Sequence, residues 1–73
     1  MTELKMTTRV KRMSDSIYVE YHPSNSELFG VAFFGKEFST DINVDEGIAL
    51  YFNEAKQELL NVLNSKFGEG SYT

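Results

Sequence analysis

The chain has 73 residues, no cysteine, and eleven acids against seven bases, for a net charge of −4. That length makes one domain, and the missing cysteine excludes disulfides and thiolate metal sites. No apolar run approaches the roughly 18 residues of a membrane span, and no apolar h-region follows the N-terminus, so the sequence predicts an unstapled cytoplasmic domain without a membrane segment.

Leu4, Met6, Thr8 and Val10 alternate with Lys5, Thr7, Arg9 and Lys11. A period of two predicts a half-buried strand over 4–13 with a basic outer face. Ser14-Asp15-Ser16 signals a turn. Ile17 to Tyr21 is rich in β-formers and predicts the second strand of a hairpin, with Ile17, Val19 and Tyr21 inward and Tyr18, Glu20 and His22 outward. His22 to Ser26 reads as a loop around Pro23, which cannot donate to a ladder. Leu28 to Phe34 reads as a third strand. Gly35-Lys36 suits a tight hairpin turn, and a short fourth strand over 37–40 would follow.

The remainder predicts one helix over about 45–67. Asn43 or Asp45 can cap it, and Gly68 is placed to end it. Val44, Ile48, Tyr51, Phe52, Ala55, Leu59, Val62 and Leu63 fall on one stripe at helical spacing. That stripe must cover one face of the sheet. The expected fold is therefore α+β: an antiparallel sheet of three or four strands under a single C-terminal helix. Residues 1–67 form the domain, and 68–73 are read as a flexible tail. The aromatic share of 14% offers a way to fill a small core without staples.

Charge is divided along the chain. Residues 1–13 carry Lys5, Arg9, Lys11 and Arg12 against Glu3 alone, while the remaining sixty carry ten acids against Lys36, Lys56 and Lys66. An acidic body repels nucleic acid and anionic membrane and attracts basic surfaces. Glu54 and Glu58 stand one helical turn apart, with Leu50 and Val62 where an offsetting base could sit. Such a like-charge pair costs a few tenths of a kcal/mol, so it reads either as a plain solvated face or as a face kept acidic for a partner. The candidate partner-binding residues are Asp41, Asp45, Glu46, Glu54 and Glu58. The wider acidic set adds Asp15, Glu20, Glu27 and Glu37. Carboxylates spread in this way could stand in for backbone phosphates.

In size, absence of cysteine and distribution of acids over 14–73, the chain resembles small acidic phage-encoded host-takeover inhibitors that mimic DNA, among them those that block the nucleoid protein HU. The resemblance implies a non-enzymatic inhibitor in the cytoplasm of the host cell. Its partner would be a basic DNA-binding protein, with no direct contact to nucleic acid and no cofactor. The basic first strand departs from that pattern.

Three readings stay open: the inhibitor; a structural or regulatory homodimer with Leu60 and Phe67 at its contact; and nucleic-acid binding through Lys5, Arg9, Lys11 and Arg12. The cations of strand one also read as a guard against edge-to-edge aggregation, or as a dock for the acidic face of a second copy. Neither a catalytic nor a metal site is expected. His22 is the sole histidine and no Gly-x-Ser-x-Gly elbow exists. The spacing of Asp41, Asp45 and Glu46 is not that of a calcium loop.

Overall fold

In the computed structural model, which describes residues 2–28 and 30–73, three strands form one antiparallel sheet: β1 (Met6–Arg12), β2 (Ile17–Pro23) and β3 (Phe34–Phe38), in the order β1-β2-β3. The first hairpin turns at 14–15, where the Met13 N–H donates to the Ser16 carbonyl at 2.9 Å. Its register pairs Val10 with Val19 and Arg9 with Glu20. The central strand β2 has a neighbour on each side, and Ile17, Val19 and Tyr21 are buried on one of its faces. Two helices follow, α1 (Val44–Leu50) and α2 (Phe52–Phe67). Ala55, Leu59 and Leu63, spaced by four, form the buried stripe of α2. The α+β architecture matches the expectation, and β2 buries the face that its alternation indicated.

The region after β2 differs from the expectation. Leu28 ends a single 3-10 turn over Ser26–Leu28 and is fully buried. Phe29 lies outside the described residues. Gly30 takes a φ of 81°, a left-handed conformation open to glycine, and the chain turns there. The third strand therefore starts at Phe34, and no separate fourth strand forms among the described residues. Gly35 and Lys36, expected as a turn, lie inside β3. The glycine is needed for a different reason: Gly35 sits opposite Glu20, the Tyr18 side chain lies across it, and a Cβ there would overlap the Tyr18 hydroxyl. Strand glycines often mark such close approaches.

The expected single helix is two. Tyr51, at φ −103° and ψ 7°, interrupts it. The buried Tyr21 hydroxyl donates to the Ile48 carbonyl at 2.7 Å, satisfying an acceptor in the last turn of α1. A side chain reaching into helix backbone is a recognised origin of a bend. The Tyr51 ring then packs on Phe38 at 5.5 Å. Gly47 is buried, with Ile42 and Phe38 so near that a Cβ would sit 3.3–3.5 Å from them. Of the two expected caps Asn43 acts, accepting from the Glu46 N–H at 3.2 Å. Gly68, at φ 110°, ends α2 as expected.

Residues 68–73, read from the sequence as a tail, return to the N-terminal segment. The Leu4 N–H donates to the Thr73 carbonyl at 2.8 Å, and Thr73 donates to Thr2 at 2.9 Å. Asn64 holds the Tyr72 backbone through both its N–H, at 2.8 Å, and its carbonyl, at 3.2 Å. Leu4 is buried beside this closure. β1 is the other departure. It was expected to be half-buried, yet only Met6 is partly covered and Thr7 to Arg12 are exposed. The Cα framework measures 39 × 20 × 16 Å. No helix among the described residues is long and apolar enough to cross a membrane.

Candidate functional site: acids on the helices, bases on the first strand

All five candidate acids are exposed. Asp41 lies in the turn before α1, where its backbone N–H is held by the Ser39 hydroxyl at 3.3 Å. Asp45 and Glu46 occupy the first turn of α1, where carboxylates complement the positive end of the helix dipole. Glu54 is in the first turn of α2. Glu58 follows one turn later, on the flank of the stripe formed by Ala55, Leu59 and Leu63. Along the chain the acids form two groups, 41–46 and 54–58, with the helix break at Tyr51 between them.

None of these five carboxylates forms an ion pair, a state they share with every described acid except Glu20. Among the described residues the only ion pair between permanently opposite charges is Lys11–Glu20 at 3.6 Å, and the same carboxylate is hydrogen-bonded to His22 Nε2 at 3.1 Å. Lys56 stands between Glu54 and Glu58 on α2 without an ion pair, and Lys36 lies 4.5 Å over the Tyr51 ring, a cation–π contact. Lys36 is therefore held on an aromatic face rather than on an acid.

Glu20 belonged to the wider acidic set, and the structure removes it from the accessible surface. It sits on the sheet face opposite the helices and is only 9% exposed. Its carboxylate takes hydrogen bonds from His22 and lies near the Lys11 ammonium. The His22 bond above all, with the charge of Lys11, holds the Glu20 pKa below its ordinary value against the opposing effect of burial. His22 also stacks on Phe33, with ring centroids 5.3 Å apart at 20°. This Lys11–Glu20–His22–Phe33 cluster was not anticipated. One signal for it was legible: Glu20 and His22 are two apart on a strand and so share a face. The placement of Phe33 depended on the misread start of β3.

Arg9 and Lys11 flank this open face, and Arg12 lies on the other side of the strand, level with Ile17. Neither arginine has a carboxylate within ion-pair distance among the described residues. The two residues named for a dimer contact behave differently from each other. Leu60 packs against the core, which fits a core wider than the main stripe. Phe67 is half-exposed and meets Tyr72 edge-on at 6.0 Å. Among the described residues the most exposed large apolar side chain is Leu50, at 70%, beside the helix break at Tyr51.

Two surface hollows of about 480 and 500 Å³ lie along the C-terminal half of α2. Asn61, Asn64, Ser65 and Lys66 line them, and none of the candidate acids does. No group of three metal-ligating side chains occurs among the described residues. No protein-family model matches the chain, and comparison with curated proteins and with solved structures yields no significant match.

Proposed function

We propose that the protein is a non-enzymatic inhibitor whose acidic helical side occupies the nucleic-acid site of a basic DNA-binding protein of the HU kind, in the cytoplasm of the host cell. One observation carries this reading: Asp41, Asp45, Glu46, Glu54 and Glu58 are all exposed, and none has a cation partner among the described residues. A surface serving only solubility gains from mixing signs. This one leaves its carboxylates free to pair elsewhere. Glu54 and Glu58 are separated by about 6 Å along the helix axis, close to the axial rise over two phosphates of one DNA strand, at about 3.4 Å each. Lysines and arginines that grip alternate phosphates of one strand can meet them at similar axial spacing. Individual rim pairs contribute little, and their summed field speeds encounter.

The test is a competition experiment. A purified HU-type nucleoid protein bound to fluorescent duplex DNA is titrated with this protein at several salt concentrations. DNA release that weakens as salt rises is the expected result. Failure to displace DNA even at low salt, with the nucleoid protein in its active form, refutes the proposal.

A further inference from the structure

β1 is exposed on both faces because the helices cover β2 and β3 and leave the edge strand outside. It is nonetheless seven residues long, without proline, and it carries Arg9 and Arg12 on opposite faces with no internal carboxylate partner among the described residues. Lys11 spans to Glu20 at 3.6 Å with its own side chain half in water. Val10 and Met13, at 38% and 50% exposure, add apolar surface beside these cations. A strand of this kind can extend a sheet or dock on another surface.

Charge selects among the possible occupants. Antiparallel pairing of β1 with its own copy would set Arg9, Lys11 and Arg12 close to their symmetry mates, and like charges across a strand pair destabilise it. Nucleic acid would meet the cations of β1 but also eleven acids in the rest of the chain. A second copy avoids both conflicts when its acidic helices, rather than its strand, face β1. We infer that β1 of one copy docks on the acidic helical side of another, and the reverse, closing a two-fold dimer held by charge that must open before a basic partner reaches the same acids. Two-fold symmetry makes each such contact occur twice. The side chains involved are Arg12, with Val10 beside it on the same face of the sheet, from one copy against Glu54 and Glu58 from the other, while Arg9 on the opposite face adds to the positive field of the strand. This contact differs from an apolar one through Leu60 and Phe67.

Sedimentation of the full chain tests it. At about 10 mM salt the Debye length is about 30 Å, and at about 1 M it is about 3 Å. The chain should be dimeric at the lower salt, with dimerisation weakened on the order of tenfold or more at the higher. Two charge-reversed proteins sharpen the test, one with Arg9→Glu and Arg12→Glu, the other with Glu54→Lys and Glu58→Lys. Each alone should be monomeric at low salt, and an equimolar mixture should regain a dimer containing one of each. A wild-type chain that is monomeric at low salt overturns the inference, as does a dimer that survives about 1 M salt unchanged. If a reversed protein fails to fold by circular dichroism, the wild-type salt series decides alone. If both fold, a mixture that stays monomeric also overturns it.

Discussion

β1 and β2 are adjacent strands of equal length, and both alternate apolar with polar residues. Yet β2 places Ile17, Val19 and Tyr21 at the centre of the core, whereas β1 leaves Thr8, Val10 and Arg12 in water on the same face of the sheet. The difference lies in what covers them. Two short helices span little more than two strands, and they sit over β2 and β3. Alternation therefore marks a strand and its two faces, but coverage decides whether either face is buried. The uncovered strand carries charge at little cost to folding, and the covered one carries it only on its face away from the helices, where Lys11 and His22 meet Glu20.

Truncations on the two strands' sides of the core should give the largest contrast. Leu59→Ala removes a fully buried side chain that packs in the cluster with Val19 and Tyr21, and such changes cost about 2–5 kcal/mol. A core this small supplies only about 3–5 kcal/mol in total, so urea denaturation should find the variant largely unfolded. Val10→Ala on β1 should fall within about 0.5 kcal/mol of wild type. Equal losses at the two sites would show that β1 is covered in solution.

Tyr21→Phe probes how the covered strand shapes the helices. The ring stays and its donor to the Ile48 carbonyl goes. Leaving a buried acceptor unpaired costs about 1–3 kcal/mol. Burial pushes the Tyr21 phenol upward, so at neutral pH it remains protonated and able to donate. Denaturant unfolding measures the loss, and faster amide exchange at the bend around Tyr51 would locate it. A variant as stable as wild type would mean that this hydroxyl does not hold the bend.

The same contrast explains how much the sequence revealed. The hairpin, the inward face of β2, the helical stripe at Ala55, Leu59 and Leu63, and the ends at Asn43 and Gly68 rest on local pattern and could be read directly. The run from Leu28 to Phe34 could not. Its apolar residues fit a strand by composition, but Leu28 enters the core from a turn, and pairing with β2 begins only at Phe34 opposite Tyr21. Gly35 was misread because a glycine that makes room for Tyr18 looks the same in sequence as one that makes a turn. The break at Tyr51 has no proline or neighbouring glycine to announce it, and the Tyr21 hydroxyl that binds the Ile48 carbonyl before it comes from 27 residues earlier in the chain. For the candidate site, exposure of Asp45, Glu46, Glu54 and Glu58 is legible from the helical spacing, while Asp41 lies in the turn before the helices. Removal of Glu20 from the surface set was not legible, because it required knowing that Lys11 and His22 converge on it.

Glu20→Gln tests that removal on the open face of the sheet. A carboxylate whose folded pKa is lowered contributes stability above its unfolded pKa and loses it as pH falls through the folded value. For Glu20, lowered chiefly by the His22 hydrogen bond, the contribution is present at neutral pH and fades from about pH 4.5 downward, 4.5 being its unperturbed value. The variant should be less stable than wild type at pH 7, and its melting temperature should fall less steeply below that point. Parallel acid limbs for the two proteins would mean that the Lys11–Glu20–His22 cluster is not formed in solution.

The smallest effect on stability should come from the helical acids, and it is there that stability and binding separate. Glu58 is exposed, follows Glu54 by one turn, and has no base four residues later. Glu58→Lys replaces a like-charge pair with a Glu-to-Lys pair in the favourable order, a gain of about 0.2–0.5 kcal/mol in helices. The fold should therefore be unchanged or slightly steadier by thermal melting. At a basic partner the same change turns an attraction into a repulsion. Rim charges act mainly on association, so stopped-flow mixing with an HU-type nucleoid protein should show slower association and a weaker dependence on salt, with dissociation little altered. Arg9→Glu, on the uncovered strand, should leave that association rate unchanged or slightly faster. If Arg9→Glu abolishes binding and Glu58→Lys does not, the first strand rather than the helical side meets the partner, and the division of roles between the two regions must be reversed.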